Sequence, residues 1–159
     1  MPTLSAKMVL GWAMEIETNG EAFYKSVAAS VTDPDAKALF EDLAYQEQRH
    51  FRSFQRLLER APELDSDDDV QSYRAYFETA LKSALFGPDK GLALAQKAHD
   101  EMSALQAALA FEKDTLLFFY ELRDMMSQAH RETLSAVIQE EKSHIRQISQ
   151  VIEQGPWVK

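Results

Sequence analysis

The stretches EQRH at residues 47–50 and EKSH at residues 141–144 share one pattern, a glutamate followed three positions later by a histidine. Positions i and i+3 lie on the same face of an α-helix, so each stretch directs a carboxylate and an imidazole toward one place. Both stretches also fall within helical stripes of apolar side chains, which predicts that these polar groups lie in the core. Burial is costly for an unpaired carboxylate, so the pattern predicts that something binds there.

A single glutamate precedes each of these stretches at nearly the same distance, again within an apolar stripe. Glu17 lies 30 residues before Glu47, and Glu112 lies 29 residues before Glu141. Four carboxylates and two imidazoles would therefore meet in one core, and two divalent cations would cancel the carboxylate charge. The predicted metal ligands are Glu17, Glu47, His50, Glu112, Glu141 and His144.

Three other side chains are candidates for the same site. Glu21 lies one turn after Glu17 on a neighbouring face and would either replace it or join it, although Glu17 matches Glu112 better in the repeat. Tyr24 and Tyr120 would lie around the ligands as hydrogen-bond donors or electron carriers, but tyrosines at helical spacing are more often core residues. The sequence identifies no catalytic residue apart from the metal centre. The carboxylates expected to be exposed are Glu15, Glu121 and Glu140.

The donor set indicates which metal the site would hold. Carboxylates with few nitrogen ligands suit iron or manganese, whereas structural zinc favours thiolates or more imidazoles. We therefore expect two iron ions, with manganese or zinc able to substitute. The chain has no cysteine, which excludes disulfides, iron–sulfur clusters and a rubredoxin-type iron site.

The charge and hydropathy of the chain limit its partners. A net charge of −9 disfavours nucleic acid and anionic membranes, because both attract basic surfaces. No apolar run approaches the roughly 20 residues that a membrane span needs. Residues 1–7 also lack the apolar segment of a signal peptide. We expect a cytoplasmic homodimer that binds neither nucleic acid nor a membrane.

Apolar periodicity predicts an all-α chain in which residues 1–159 form a single domain. The four long helices are expected at about 4–30, 34–60, 99–126 and 131–154. The two halves of the chain repeat weakly at an offset of 94 residues, which predicts two antiparallel hairpins. A helix of ~27 residues is ~40 Å long, so the chain needs a long crossover to join the hairpins. This crossover is expected at about 62–98, with a short helix at about 70–86.

Four stretches of the sequence resemble the rubrerythrin branch of the ferritin-like superfamily: AMEIE at 13–17, LAYQEQRH at 43–50, FEKDT at 111–115 and EEKSH at 140–144. The resemblance implies a four-helix bundle with a non-haem di-iron centre that reacts with peroxide or dioxygen. It also implies that Glu47 and Glu141 bridge the metals and that Glu17 and Glu112 are terminal ligands. The chain departs from the family pattern in lacking a rubredoxin domain, and in having Thr115 where a further carboxylate is expected.

The predicted function is that of a rubrerythrin-like oxidoreductase with a role in oxidative stress. Its ferrous ions would be oxidised by peroxide or dioxygen, and a separate partner would supply electrons. One alternative is a ferroxidase that handles iron, which would take up several iron equivalents per subunit. Another is a non-catalytic helical interaction module, which would bind no iron.

Overall fold

Six α-helices make up the described part of the chain, which comprises residues 6–60, 70–84, 87–124 and 128–155 of a computed structural model. The helices are α1 (Ala6–Ser30), α2 (Pro34–Arg60), α3 (Val70–Ser83), α4 (Pro88–Lys97), α5 (Glu101–Asp124) and α6 (Gln128–Gln154). These ranges contain no strand, and the all-α prediction is confirmed. None of the described helices combines the length and the apolar character that a membrane span requires.

The four long helices form the bundle that the sequence predicted. Helix α1 packs mainly along α2, and α5 packs along α6, so each half of the chain contributes a hairpin. Contacts between α1 and α5 and between α2 and α6 join the two hairpins. The turn between α1 and α2 is only three residues long. Residues 125–127, between α5 and α6, lie outside the described residues.

The described part of the crossover contains two helices, where the sequence predicted one. Helix α4 begins at Pro88, and Gly87 precedes it in an extended conformation. Proline disrupts a helix interior but is well suited to the first helical position, because its fixed φ is helical and its missing N–H is not needed there. Helix α4 packs against α1, with Ala95 buried in the core. The Gly-Pro pair therefore marks the start of a helix as well as the break between α3 and α4.

Side-chain caps define where two of the long helices begin. At the start of α2, the backbone N–H of Ala36 donates to Oδ2 of Asp33 at 2.9 Å. At the start of α5, the N–H of Ser103 donates to Oδ1 of Asp100 at 2.7 Å, and the N–H of Asp100 donates to Oγ of Ser103 at 3.1 Å. These bonds satisfy backbone donors that have no partner within the helix.

Aromatic side chains fill the core on both sides of the predicted site. Phe23 of α1 stacks on Phe111 of α5 with ring centroids 4.6 Å apart. Phe54 of α2 meets the edge of Phe119 of α5 at 6.2 Å. All four rings are almost completely buried, and Phe111 directly precedes Glu112, whereas Phe119 lies two turns beyond it. The core therefore excludes water from the region along the bundle axis.

A carboxylate near the start of α5 holds the turn between α1 and α2. Oε1 of Glu101 accepts hydrogen bonds from the backbone N–H groups of Thr32 and Asp33 and from the hydroxyl of Thr32, each at 3.0 Å. The backbone donors of Asp33 and Thr32 lower the pKa of Glu101, because they favour its charged form. The turn is thus tied to the second hairpin.

We predict that Glu101→Gln lowers the melting temperature, most strongly at neutral pH. A carboxylate whose pKa is lowered by folding stabilises the protein at pH values above its usual pKa of 4.5. That stability is lost as the pH falls through the folded-state pKa. Thermal unfolding of wild type and variant from neutral to acidic pH measures this difference. Glu15→Gln, at an exposed position on α1, is the matched control. A constant difference between Glu101→Gln and wild type at all pH values would contradict the assignment.

Candidate metal centre

All six predicted ligand side chains are buried and lie together, with no more than 3% of any of these residues exposed. They form two overlapping groups in which one oxygen or nitrogen of each residue lies within 4.8 Å of the others. The first group is Glu17, Glu47, His50 and Glu141, and the second is Glu47, Glu112, Glu141 and His144. Glu47 and Glu141 belong to both groups.

Each long helix contributes to this cluster from its middle. Glu17 projects from α1 and Glu112 from α5, while α2 and α6 each supply a glutamate and a histidine at the i, i+3 spacing. This spacing keeps the two side chains of a pair on one face. The structure therefore places in one cluster the six residues that the sequence pattern grouped together.

The imidazole of His144 faces three carboxylates through one nitrogen. Its Nδ1 lies 3.1 Å from Oε2 of Glu141, 3.2 Å from Oε1 of Glu112 and 3.3 Å from Oε1 of Glu47. The imidazole of His50 is similarly oriented, with Nδ1 3.1 Å from Oε1 of Glu141 and 3.5 Å from Oε2 of Glu17. The two rings are nearly parallel, with centroids 5.5 Å apart. Both imidazoles thus present Nδ1 to the interior of the cluster.

The outer nitrogen of His50 has a partner that the sequence reasoning missed. Nε2 of His50 contacts Oε2 of Glu140, whose side chain is 54% exposed. Glu140 was correctly expected to be exposed, but not to reach His50. A usable signal was its place next to Glu141, since histidines that bind metals commonly donate their other N–H to a carboxylate.

The two candidate tyrosines have different surroundings. The Tyr24 hydroxyl, on α1, is buried and donates a hydrogen bond to Oε1 of Glu112. Tyr120 is only partly buried, and its ring contacts two cations: the Arg123 guanidinium at 4.8 Å and the Lys142 ammonium at 5.4 Å from its centroid. Tyr24 therefore adjoins the cluster, while the contacts of Tyr120 are with basic side chains of α5 and α6.

Glu21, the competitor of Glu17, lies outside the cluster. Its Oε1 accepts hydrogen bonds from the Lys25 ammonium at 2.6 Å and from the side-chain amide of Gln48 at 2.9 Å. These partners hold the Glu21 carboxylate in a partly exposed position between α1 and α2. The structure therefore brings Glu17, and not Glu21, to the other five side chains.

Two small residues shape the space around the carboxylates. A Cβ atom at Gly20 would lie 3.2 Å from Oε2 of Glu47, closer than an ordinary van der Waals contact. The absence of a side chain at this position therefore leaves room for the Glu47 carboxylate against α1. Thr115 lies one turn beyond Glu112 and is 2% exposed, and its hydroxyl has no hydrogen-bond partner among the described residues.

The comparison with known proteins agrees with this arrangement. The family model for rubrerythrin matches residues 8–152. The chain belongs to the rubrerythrin family. Its fold is similar to the crystal structure of a Thermotoga maritima protein described as ferritin-like and diiron-carboxylate. The two are 21% identical, the match covers 97% of this chain and 98% of the other, and the TM-score is 0.61. No curated protein sequence matches.

Burial governs the ionisation of this rubrerythrin cluster. Removal from water raises the pKa values of Glu17, Glu47 and Glu112 well above the usual range, and the nearby charge of Glu141 raises them further. Burial acts in the same direction on Glu141, but the adjacent imidazoles of His144 and His50 hold its pKa well below that range. Glu141 is therefore the carboxylate that ionises most readily, and the other three favour their protonated forms.

Burial has the opposite effect on the pKa values of the imidazoles, because it favours their neutral form. Burial alone would lower the pKa of His50, but its hydrogen bond to Glu141 and the surrounding carboxylates raise it to about 9. The carboxylates of Glu112, Glu141 and Glu47 raise the pKa of His144 well above its usual value in the same way, against the effect of burial. Without a cation, both rings are therefore protonated at neutral pH.

The donors of the rubrerythrin cluster fit a pair of cations. Five carboxylate oxygens are buried without a hydrogen bond from any described residue: both of Glu17, and one each of Glu47, Glu112 and Glu141. Buried polar atoms rarely lack a partner, and an ion is one of the few things that would supply it. Two divalent cations would also displace the protons and balance four ionised carboxylates.

We predict that metal binding releases at least two protons per chain at neutral pH, one from each imidazolium ring. The release follows because a ring must lose its proton before Nδ1 can bind a metal. Anaerobic calorimetry with manganese(II), repeated in buffers of different ionisation enthalpy, counts the protons. Glu21→Gln should release the same number. Binding of two ions without proton release would contradict the charge assignment.

Proposed function

We propose that this chain is a di-iron protein in which six buried side chains hold two iron ions. The observation that carries the proposal is the pair of overlapping donor groups that share Glu47 and Glu141. Sharing would make these two carboxylates the bridging ligands. Glu17 and His50 would complete one metal position, and Glu112 and His144 would complete the other.

The chemistry of the donors favours iron. Four carboxylates and two imidazoles are hard or intermediate ligands. Such ligands suit iron or manganese, whereas structural zinc favours thiolates or more imidazoles. Membership of the rubrerythrin family and the similarity to a protein described as diiron-carboxylate support the same choice. Manganese or zinc would occupy the same donors when iron is scarce.

We propose further that the protein reduces hydrogen peroxide, with dioxygen as a poorer oxidant. An iron pair in this cluster would supply two electrons which, together with two protons, reduce hydrogen peroxide to two molecules of water. A separate donor would return electrons, because the chain has no cysteine with which to build an iron–sulfur or rubredoxin-type site.

Residues around the ligands would assist in three ways. The Tyr24 hydroxyl donates a hydrogen bond to Glu112 and so fixes the orientation of that carboxylate. Burial and neighbouring carboxylates, Glu112 foremost, raise the pKa of Tyr24, so the phenol keeps the proton that it donates. The aromatic side chains of the core exclude water. Thr115, one turn beyond Glu112, offers only a neutral hydroxyl and so adds no charge there.

We predict that the wild-type protein grown with iron contains about two iron ions per chain, and that Glu47→Gln or Glu141→Gln loses both. Each of these carboxylates serves both ions, so one substitution weakens both positions. Elemental analysis of the purified variants measures the loss. Glu21→Gln, one turn from the site, should keep its iron. Full iron content in both bridging variants would refute the ligand assignment.

We predict that hydrogen peroxide oxidises the iron(II)-loaded protein faster than dioxygen does at equal concentration. Stopped-flow absorbance under anaerobic conditions, with either oxidant added, compares the two rates. The Glu141→Gln variant, mixed with the same iron, provides the background rate. Faster oxidation by dioxygen, together with uptake of many iron equivalents per chain, would instead identify an iron-handling ferroxidase.

A further inference from the structure

The two imidazoles of the cluster differ on their outer sides. Nε2 of His50 contacts the Glu140 carboxylate, which α6 supplies from the residue next to Glu141. Among the described residues, no carboxylate contacts Nε2 of His144, whose contacts with carboxylates all run through Nδ1. A carboxylate therefore contacts the outer nitrogen of His50, whereas no described carboxylate contacts that of His144.

This difference follows from the internal repeat of the sequence. At the offset of 94 residues that superposes Glu47 on Glu141, the counterpart of Glu140 is Gln46. Glu140 reaches from α6 to His50 of α2, so Gln46 of α2 stands where a matching partner for His144 would be. Gln46 carries no charge. The repeat thus places an anion behind only one of the two rings.

A second break in the repeat acts on the other half of the cluster. The counterpart of Tyr24 at the offset of 95 residues, which superposes Glu17 on Glu112, is Phe119. Tyr24 donates a hydrogen bond to Glu112, whereas neither carboxylate oxygen of Glu17 accepts a hydrogen bond from a hydroxyl or imidazole group of the described residues. A carboxylate that already accepts a strong hydrogen bond has less negative charge to offer a cation. Glu17 is therefore the better donor of the two.

Support from a carboxylate makes an imidazole a better ligand. A ring that donates Nε2–H outward is held in the tautomer whose lone pair lies on Nδ1, and the donated bond increases the basicity of that nitrogen. Nδ1 of His50 is the atom that faces Glu141 and Glu17. Glu140 thus fixes both the orientation and the tautomer that metal binding requires.

We propose that Glu140 is a positioning residue for His50 and that the two metal positions bind with unequal affinity. The position completed by Glu17 and His50 is the tighter one, and the position completed by Glu112 and His144 is the weaker one. This inference rests on the proposed metal function. It adds an order of filling, in which a single ion enters the Glu17–His50 position first.

Anaerobic calorimetry of the metal-free protein with manganese(II), at one fixed pH, tests the proposal. We expect two unequal steps for wild type. In Glu140→Ala, the tighter step should weaken by roughly 10- to 100-fold while the weaker step stays unchanged. Glu140→Gln is uncharged, as Gln46 is, so it should also weaken the tighter step, although less than Glu140→Ala does because its amide oxygen still accepts the Nε2–H bond. Gln46→Ala, at the matching position, should leave the tighter step as in wild type.

Two further measurements separate positioning from a general structural effect. The metal-free Glu140→Ala protein should keep the helical circular-dichroism spectrum of wild type and a single cooperative melting transition, because Glu140 is largely exposed. In a His50→Ala background, Glu140→Ala should cause no additional loss, since it acts only through that ring.

The outcomes are distinguishable. Uptake of two ions by Glu140→Ala with wild-type constants would overturn the inference and leave the proposed function standing. Equal weakening of both steps would also overturn it, as would further loss in the His50→Ala background. Failure of the wild-type protein to bind manganese(II) or iron(II) would overturn the proposed function, and the inference with it.

Discussion

The burial of four carboxylates in an apolar core is the constraint on which this bundle depends. A charged carboxylate is strongly disfavoured away from water, and four in one place also repel each other. The fold meets this cost with two imidazoles, protons on several carboxyl groups and a hydrogen bond from Tyr24. Two cations would replace most of these protons, so the stability of the helices and the occupancy of the site are linked.

The sequence predicted the cluster because helical spacing alone decides which side chains share a face. Glu47 with His50, and Glu141 with His144, could be paired without knowing how the helices pack. The choice of Glu17 over Glu21 also came from the repeat, and the structure places Glu21 with Lys25 instead. Periodicity was sufficient wherever the partners lie on one helix or occupy equivalent places in the two halves.

Features that depend on the relative rotation of two helices could not be predicted in this way. The contact between Glu140 and His50 joins α6 to α2, and the different surroundings of Tyr24 and Tyr120 depend on the orientation of α1 and α5. Helix α4 was missed for a local reason, because Gly87-Pro88 marks both the end of one segment and the start of another. A one-dimensional pattern does not distinguish these cases.

Gly20 shows how closely the backbone approaches the cluster. A glycine inside a helix weakens it by roughly 1 kcal/mol relative to alanine, so α1 would be more stable with a methyl group there. That methyl carbon would press on the Glu47 carboxylate at 3.2 Å. The stability of α1 and the room needed by the Glu47 carboxylate therefore make opposite demands on this one position. Engineering that replaces helical glycines to raise stability should leave Gly20 unchanged.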